Sequence, residues 1–188
     1  MARWEAGASG RLTAAAMRLY VERGYEQTTV AEIAGAAGLT ARTFFRYFAD
    51  KREVLFAGSE LLQQRMVEAL EAAPPAAPPM QAVAGTLDAA AELLGGNREH
   101  SRLRQSVIAA NPELQERELI KMARLAGALA DGLRGRGVPE PDASLAAEAG
   151  IVAFRIAFET WVGAAEDAGL GRVMRESLDR LRTITTAV

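Results

Sequence analysis

Four aromatic rings fall within the five positions Phe44 to Phe48, in a chain where 6% of residues are aromatic. Around them, between Thr40 and Arg52, stand Arg42, Arg46, Lys51 and Arg52 against the single acid Asp50. Cations interleaved with rings and hydroxyls suit contact with a polyanion. Arginine offers a planar fork of donors, lysine a point charge, and threonine a hydroxyl beside a methyl group. A net charge of −2 over 188 residues argues against a chain that is basic throughout. The charge is uneven, however: residues 1–56 carry eight Lys/Arg against six Asp/Glu, and the remainder fourteen against eighteen. A local basic patch on a mildly acidic chain is the footprint of a small nucleic-acid module attached to something else. Charge alone leaves an ordinary solvated face open as the alternative.

Other chemistries find little support. With no cysteine there is neither a disulfide framework nor a thiolate metal site, and one histidine, His100, forms no ligand pair, so no metal and no cofactor are expected. No nucleophile–base pair or nucleotide motif marks an enzyme, and no catalytic residue is assigned. The run "GLRGRG" from Gly132 to Gly137 lacks a preceding strand and reads as a helix end followed by a turn. No apolar run approaches the roughly 18–20 residues of a membrane span, and "MARWEAGASGRL" lacks the apolar region of a signal peptide, so a cytoplasmic protein without membrane contact is expected.

The elements that must position the basic patch read as helices throughout. Leu12, Ala15, Ala16, Leu19 and Tyr20 form one stripe, and Gly24 is its stop. Thr29 and Glu32 have capping-box spacing before Val30, Ile33, Ala34 and Ala37, and Gly38 ends that second helix. Thr40 caps a short third helix. Asp50 and Glu53 have capping-box spacing again and predict a fourth helix running from there to about Ala72. "AAPPAAPPM" then breaks the chain, as a stiff spacer or an extended ligand. Helices are predicted at about 80–94, 98–109, 112–134, 142–167 and 171–186, with Gly/Pro/Asn punctuation between them. The fold class is all-α, with about nine helices.

On a helical wheel Phe44, Tyr47 and Phe48 share one side of the third helix, Arg42 and Arg46 point nearly opposite, and Phe45 lies at the border. A helix of under three turns needs heavy apolar anchors. What the anchoring leaves outward is an Arg/Thr/aromatic edge on the second of two short helices joined by a Gly-containing turn, which is helix-turn-helix logic.

The stretch "LTAAAMRLYVERGYEQTTVAEIAGAAGLTARTFFRYFADKREVLF" strongly resembles the N-terminal DNA-binding domain of the TetR family of transcriptional regulators. The likeness rests on linked blocks: an Ala-rich first helix ending in "RGY", then "TTVAEIA", "GLT", "FFRYF" and a following lysine. It implies a helix-turn-helix DNA-binding domain at 1–56, joined through the fourth helix to a helical ligand-binding and dimerisation domain at 57–188. It implies a homodimer binding double-stranded DNA at a palindromic operator, acting as a repressor that answers to a small hydrophobic effector. Where the family usually carries a phosphate-binding tyrosine this chain has Phe45, and Tyr47 replaces a frequent histidine. The "RTFFRYF" spelling resembles an actinobacterial-looking branch, some of whose members are regarded as sensing acyl-CoA-like ligands.

Chemistry and resemblance together nominate Thr28 and Thr29, at a helix N-terminus, and Lys51 for phosphate. Arg42 and Thr43 are the base-edge candidates, Arg46 suits either task, and Thr40, Phe45 and Tyr47 complete the expected DNA-binding set. Thr29 as a cap only, Thr43 as a solvated residue and Phe45 as a packing residue remain open. In the second part Met122, Leu125, Leu129 and Leu133 form one stripe, and Ile151, Phe154, Phe158, Trp161 and Val162 another. Such stripes build cores as readily as ligand cages. By resemblance Met122, Leu125, Phe154, Phe158 and Trp161 are the expected effector contacts. Arg155 and Glu159, four apart, read as a surface ion pair or a polar pocket feature. The dimer is expected through the last two helices, with Ala146, Ala149, Gly150 and Ala153 permitting close approach and Ile151, Val173, Leu178 and Leu181 supplying apolar surface, packing within the chain being the ordinary alternative for these residues.

Overall fold

Thr29 and Glu32 satisfy each other as their spacing predicts: the Thr29 N–H and hydroxyl donate to the Glu32 carboxylate at 2.9 and 2.8 Å, and the Glu32 N–H donates back to the hydroxyl at 3.3 Å. This reciprocal cap opens α2, Val30–Ala36, which follows α1, Ala8–Arg23. At the other end of α2 the Leu39 N–H reaches the Ala34 carbonyl at 2.8 Å and the Gly38 N–H the Gly35 carbonyl at 3.0 Å. Gly38, at φ 67°, supplies the left-handed residue that this pair of bonds requires. Thr40 then accepts from the Thr43 N–H and starts α3, Ala41–Tyr47.

The structure is a computed structural model that describes residues 7–166 and 168–186. Residues 1–6 and 187–188, at the ends of the expected domains, lie outside the described residues, as does Asp167, the expected end of the helix from 142. Among the described residues there are nine α-helices and no strand. The remaining six are α4, Ser59–Ala72; α5, Pro79–Leu94; α6, Arg98–Ala109; α7, Pro112–Gly135; α8, Asp142–Gly163; and α9, Leu170–Thr186.

The fourth helix departs from expectation. Asp50 does cap, accepting from the backbone N–H groups of Arg52 at 2.8 Å and Glu53 at 3.1 Å, but what it opens is a 3-10 turn, Glu53–Phe56. The α-helix begins only at Ser59. Val54, Leu55 and Phe56 are all buried, and three consecutive side chains cannot share one helical stripe at 100° per residue. The tight turn sends them into one core, and the chain restarts so that Leu62, Met66 and Leu70 enter another.

The chain packs as two compact units. One comprises the residues up to Ser59 together with Leu103–Glu116; the other comprises Glu60–Arg102 and the residues from Arg117 onward. In the first, α1, α2 and α3 pack on one another and α1 on the 3-10 turn. Its core holds Leu12, Tyr20, Ile33, Phe44, Phe48 and Phe56, with Ile108 and Leu114 from the returning segment. In the second, α5, α8 and α9 pack mutually around Leu87, Phe154, Trp161 and Met174. Three arginines close helix ends in this unit. Arg98 donates to the Trp161 carbonyl at 2.8 Å and to that of Ala164, and Arg102 to that of Val162 at 3.2 Å. Arg136 donates to the carbonyls of Leu70, Ala73 and Pro74, in the last turn of α4 and just past it. Cations at these C-terminal carbonyls satisfy orphan acceptors and oppose the helix dipole.

For several residues offered for the subunit interface, burial favours the alternative of packing within the chain. Ala146, Gly150, Ile151, Ala153, Val173 and Leu178 are buried within the single chain. A Cβ at Gly150 would lie 2.5 Å from a methyl of Val83, so the close approach it permits is that of α8 to α5. The α8 face that stays outward carries Leu145, Val152 and Ile156 instead, with Leu145 66% exposed.

Candidate nucleic-acid interface

Phe44 anchors the third helix at 0% exposure, with Phe48 beside it at a ring separation of 5.5 Å. Burying one such ring contributes about 1.5–3 kcal/mol, enough to hold a two-turn helix that could not stand alone. The wheel fails at Tyr47, which is 44% exposed rather than inward. The helix ends there: Phe48 is already extended at φ −134°, ψ 134°, so it reaches the core by leaving the helical path, and Tyr47 is freed to face outward. Phe45 is 58% exposed, with its edge against Phe44.

The outward edge of α3 therefore carries Arg42, Phe45, Arg46 and Tyr47, with Thr43 half-buried. Arg46 lies along Tyr47, donating to its hydroxyl at 3.1 Å with the guanidinium carbon 5.0 Å from the ring centre. Arg42 has no hydrogen bond or ion pair among the described residues. Thr40 and Thr43 share a hydroxyl–hydroxyl bond of 3.1 Å while Thr40 caps the helix. This edge presents a free guanidinium, a second one steered by a phenol, and an exposed ring, all on one face.

Behind this edge the other nominated residues are engaged internally. Thr28 is 1% exposed and its hydroxyl donates to the Gly24 carbonyl at 2.8 Å, so a fully exposed phosphate contact is not what this geometry offers. Thr29 is exposed, but its hydroxyl is bound into the cap of α2. Lys51 points back into the α1–α2 turn, to the carbonyls of Tyr25, Glu26 and Thr28. Sequence reasoning placed Tyr20 in an apolar stripe but gave no bonding role to Tyr20, Tyr25, Arg104 or Glu113. The Tyr20 hydroxyl donates to the Lys51 carbonyl at 2.7 Å, and Arg104 donates to the Leu55 carbonyl at 2.8 Å with its guanidinium over Phe56. Burial, then the hydrogen bond with the Glu113 carboxylate, pushes the Tyr25 phenol well above its ordinary range. Such partners lie dozens of residues apart in the chain and leave no local spacing signal to read.

The electrostatics of the frame favour carboxylates kept ionised. The backbone N–H of Thr29, then its hydroxyl, holds Glu32 below the usual carboxylate range. Partial burial alone would raise Asp50. The hydrogen bonds from the Arg52 side chain and from the backbone of Glu53 and Arg52 outweigh it and hold the group low.

In the second unit Leu125, Phe154 and Trp161 sit in the closed core, and Met122 and Phe158 pack against it half-buried. Phe158 stacks on Phe154 at 6.1 Å and meets Trp161 at 5.8 Å. The five expected effector contacts thus belong to one hydrophobic cluster. An open groove of about 570 Å³ lies elsewhere, between α4 and α7, with Gln63, Val67, Glu71, Asp131 and Arg136 on its walls. Arg155 and Glu159 are both exposed on α8, and no ion pair joins them. Among the described residues no group of acids or histidines is placed to hold a metal, and no helix is long and apolar enough to cross a membrane.

Comparison with known proteins agrees with this geometry. Residues 12–57 match the family model for bacterial regulatory proteins of the tetR family, and residues 77–186 match the model for the MftR C-terminal domain. Over 74 residues the chain is 40% identical to the HTH-type transcriptional regulator TcmR of Streptomyces glaucescens, a match spanning 39% of this chain and 33% of TcmR. The chain thus aligns with only about a third of that relative's length. Among solved structures, the regulator PfmR of Thermus thermophilus is 27% identical at a TM-score of 0.51, covering 90% of this chain and 95% of that one. FadR of Bacillus subtilis, solved in complex with stearoyl-CoA, is 25% identical at a TM-score of 0.61, covering 91% and 96%.

Proposed function

From the premise that the chain belongs to the TetR family of DNA-binding transcriptional regulators, we propose that it is a homodimeric repressor that reads a palindromic operator and releases it on binding a largely apolar effector. The observation that carries the reading is the outward edge of α3, where Arg42 is unpaired and Arg46 and Tyr47 are exposed beside it. Arg42 is suited to grip guanine with two bonds, Thr43 to meet a thymine methyl, and Arg46, Tyr47 and Thr40 to bind phosphate. Residues 1–56 then serve as the reading domain and 57–188 as the domain that binds effector and partner. A cytoplasmic location goes with that work.

Two copies related by a two-fold axis would present two recognition helices to inverted half-sites. Leu145, Val152 and Ile156, spaced seven and four apart on α8, with Ile184 on α9, form the apolar face that a second copy would cover. The half-buried Met122 and Phe158 mark where an acyl chain would part the core, and the stearoyl-CoA complex of the Bacillus subtilis relative supports an acyl-CoA as the class to try first. Such a ligand lowers operator affinity only by preferring the non-binding spacing of the two recognition helices.

The test is to select bound duplexes from a random pool, then titrate acyl-CoAs against the resulting complex while following Trp161 fluorescence in a Trp4→Phe background. Inverted half-sites and operator release that tracks the Trp161 change are expected. A pool that yields no enriched sequence contradicts the DNA reading. Perturbed Trp161 with undiminished operator affinity at saturation contradicts the coupling.

A further inference from the structure

The outward face of α8 carries charge beside the apolar residues that a second copy would cover. Leu145, Ala149, Val152 and Ile156 repeat at spacings of four, three and four, the pattern of a seam between two helices. At 100° per residue Glu148 and Arg155, seven apart, fall together on one flank of that seam, and both are exposed. They stand about 10.5 Å apart along the helix axis, too far to pair within one chain. Neither has a hydrogen bond or an ion pair among the described residues. On α9, by contrast, the exposed Arg172, Arg175 and Arg182 each have a carboxylate partner in the same chain.

A two-fold axis sets each residue of one α8 against an equal and opposite step along the other. The antiparallel register that faces Leu145 with the partner's Ile156 also faces Ala149 with the partner's Val152, because both pairs share one midpoint. On the flank of such a pairing, the residue just before a seam position approaches the residue three beyond the facing seam position. For Ala149 and the partner's Val152 those residues are Glu148 and the partner's Arg155, and the axis repeats the contact. The register chosen by the apolar residues alone is therefore the register that joins opposite charges. The like charges of Asp142 and the partner's Glu159 face each other only toward the ends, where crossing helices diverge.

From this pattern, and resting on the homodimer reading above, we propose that two reciprocal Glu148–Arg155 contacts fix the register of the α8 seam and restrict pairing to a second copy of this chain. They work by exclusion. An opposite-charge contact at a solvated rim adds little affinity, whereas a chain with other charges at these positions brings like charges face to face.

The test reverses the two charges singly and together, with circular dichroism confirming that helical content is kept. A homodimer of Glu148→Arg, or of Arg155→Glu, has like charges at both contacts. By light scattering the dissociation constant of each should rise about tenfold or more at low salt, and the penalty should shrink as salt screens it. Mixed together, these two variants restore opposite charges at both contacts, so native mass spectrometry should show the heterodimer well above the half that random pairing gives. A chain with both reversals should dimerise like the wild type yet sort away from it, since that mixed pair meets like with like twice. This second mixture decides the question even if a single reversal fails to fold. Arg155→Ala removes a contact without creating repulsion and should change the dissociation constant only about twofold. Random pairing in the mixtures overturns the proposal and leaves the homodimer standing. A wild-type chain that stays monomeric at every concentration defeats the homodimer reading itself, and the proposal with it.

Discussion

Phe44 and Trp161 are both fully buried aromatic residues, one in each compact unit, and their neighbourhoods differ. Around Phe44 the helices α2 and α3 are seven residues long and lie among directional polar bonds: the Thr29–Glu32 cap, the Asp50 cap, the Lys51 bonds to the carbonyls of the α1–α2 turn and the Arg104 bond. Around Trp161 the helices run to 22 residues in α8 and are held mostly by Ala, Leu and Val, with arginines closing the helix ends. Short helices cannot hold themselves, so their positions must be specified by directional bonds, and directional bonds demand particular residue types at particular spacings. Long amphipathic helices need only a stripe. A unit built in the first way announces its site in its sequence, and a unit built in the second does not.

Truncation at the two anchors should give the largest effect and tests whether the units depend on their rings alike. Phe44→Ala and Trp161→Ala should each cost about 3–5 kcal/mol by denaturant titration. Phe44→Ala should abolish operator binding outright, because α3 has no second fully buried ring within its span. Equal operator affinity in both variants, at a temperature where each is folded, would erase the distinction.

Next in size is the outward face of α8. Ile156→Glu should shift light scattering from dimer to monomer, raising the dissociation constant at least a hundredfold, since an unpaired charge buried at an interface costs about 3–5 kcal/mol. The monomer's helical content should be unchanged. Ile151→Glu, on the buried side of the same helix, should unfold the chain instead. A dimer that survives Ile156→Glu would send the interface elsewhere.

The polar side of the comparison predicts a smaller effect. Thr29→Ala should destabilise the reading unit by about 1 kcal/mol, the usual cost of a lost N-cap. Glu32 has a folded pKa below its ordinary 4.5, so its contribution is present above that value and is lost as pH falls through the lowered one. Acid titration followed by circular dichroism should show this loss in the wild type and its absence in Thr29→Ala. Smallest of all, Arg155→Ala should change stability by no more than about 0.5 kcal/mol, because the side chain is exposed and unpaired. A larger change would restore Arg155 to a pocket.

How far the sequence could be read follows the same division. The caps at Thr29 and Thr40, the Gly38 turn, the burial of Phe44 and the exposed arginine edge were all visible as residue types at fixed spacing. Tyr47 was misplaced because a helical wheel assumes that the helix continues, and α3 stops at that residue. The start of α4 was misplaced because Asp50 caps a 3-10 turn as readily as an α-helix. In the second unit, stripes with the right period could not separate core from interface: Ile151 and Val152 are adjacent in sequence, and only packing shows that one is buried and the other outward. Contacts such as Tyr25 with Glu113 join residues too distant for any local pattern.

The claim that the α3 edge reads bases is tested most directly by Arg42→Ala on the selected operator and a panel of single mismatches. Arg42 has no structural partner to lose, so the substitution should leave the denaturation curve in place. It should weaken operator binding by about 1–3 kcal/mol, with the discrimination lost at one base-pair position in each half-site. A uniform loss across the panel with a smaller salt slope would make Arg42 a phosphate contact, and unchanged binding would remove this edge from recognition altogether.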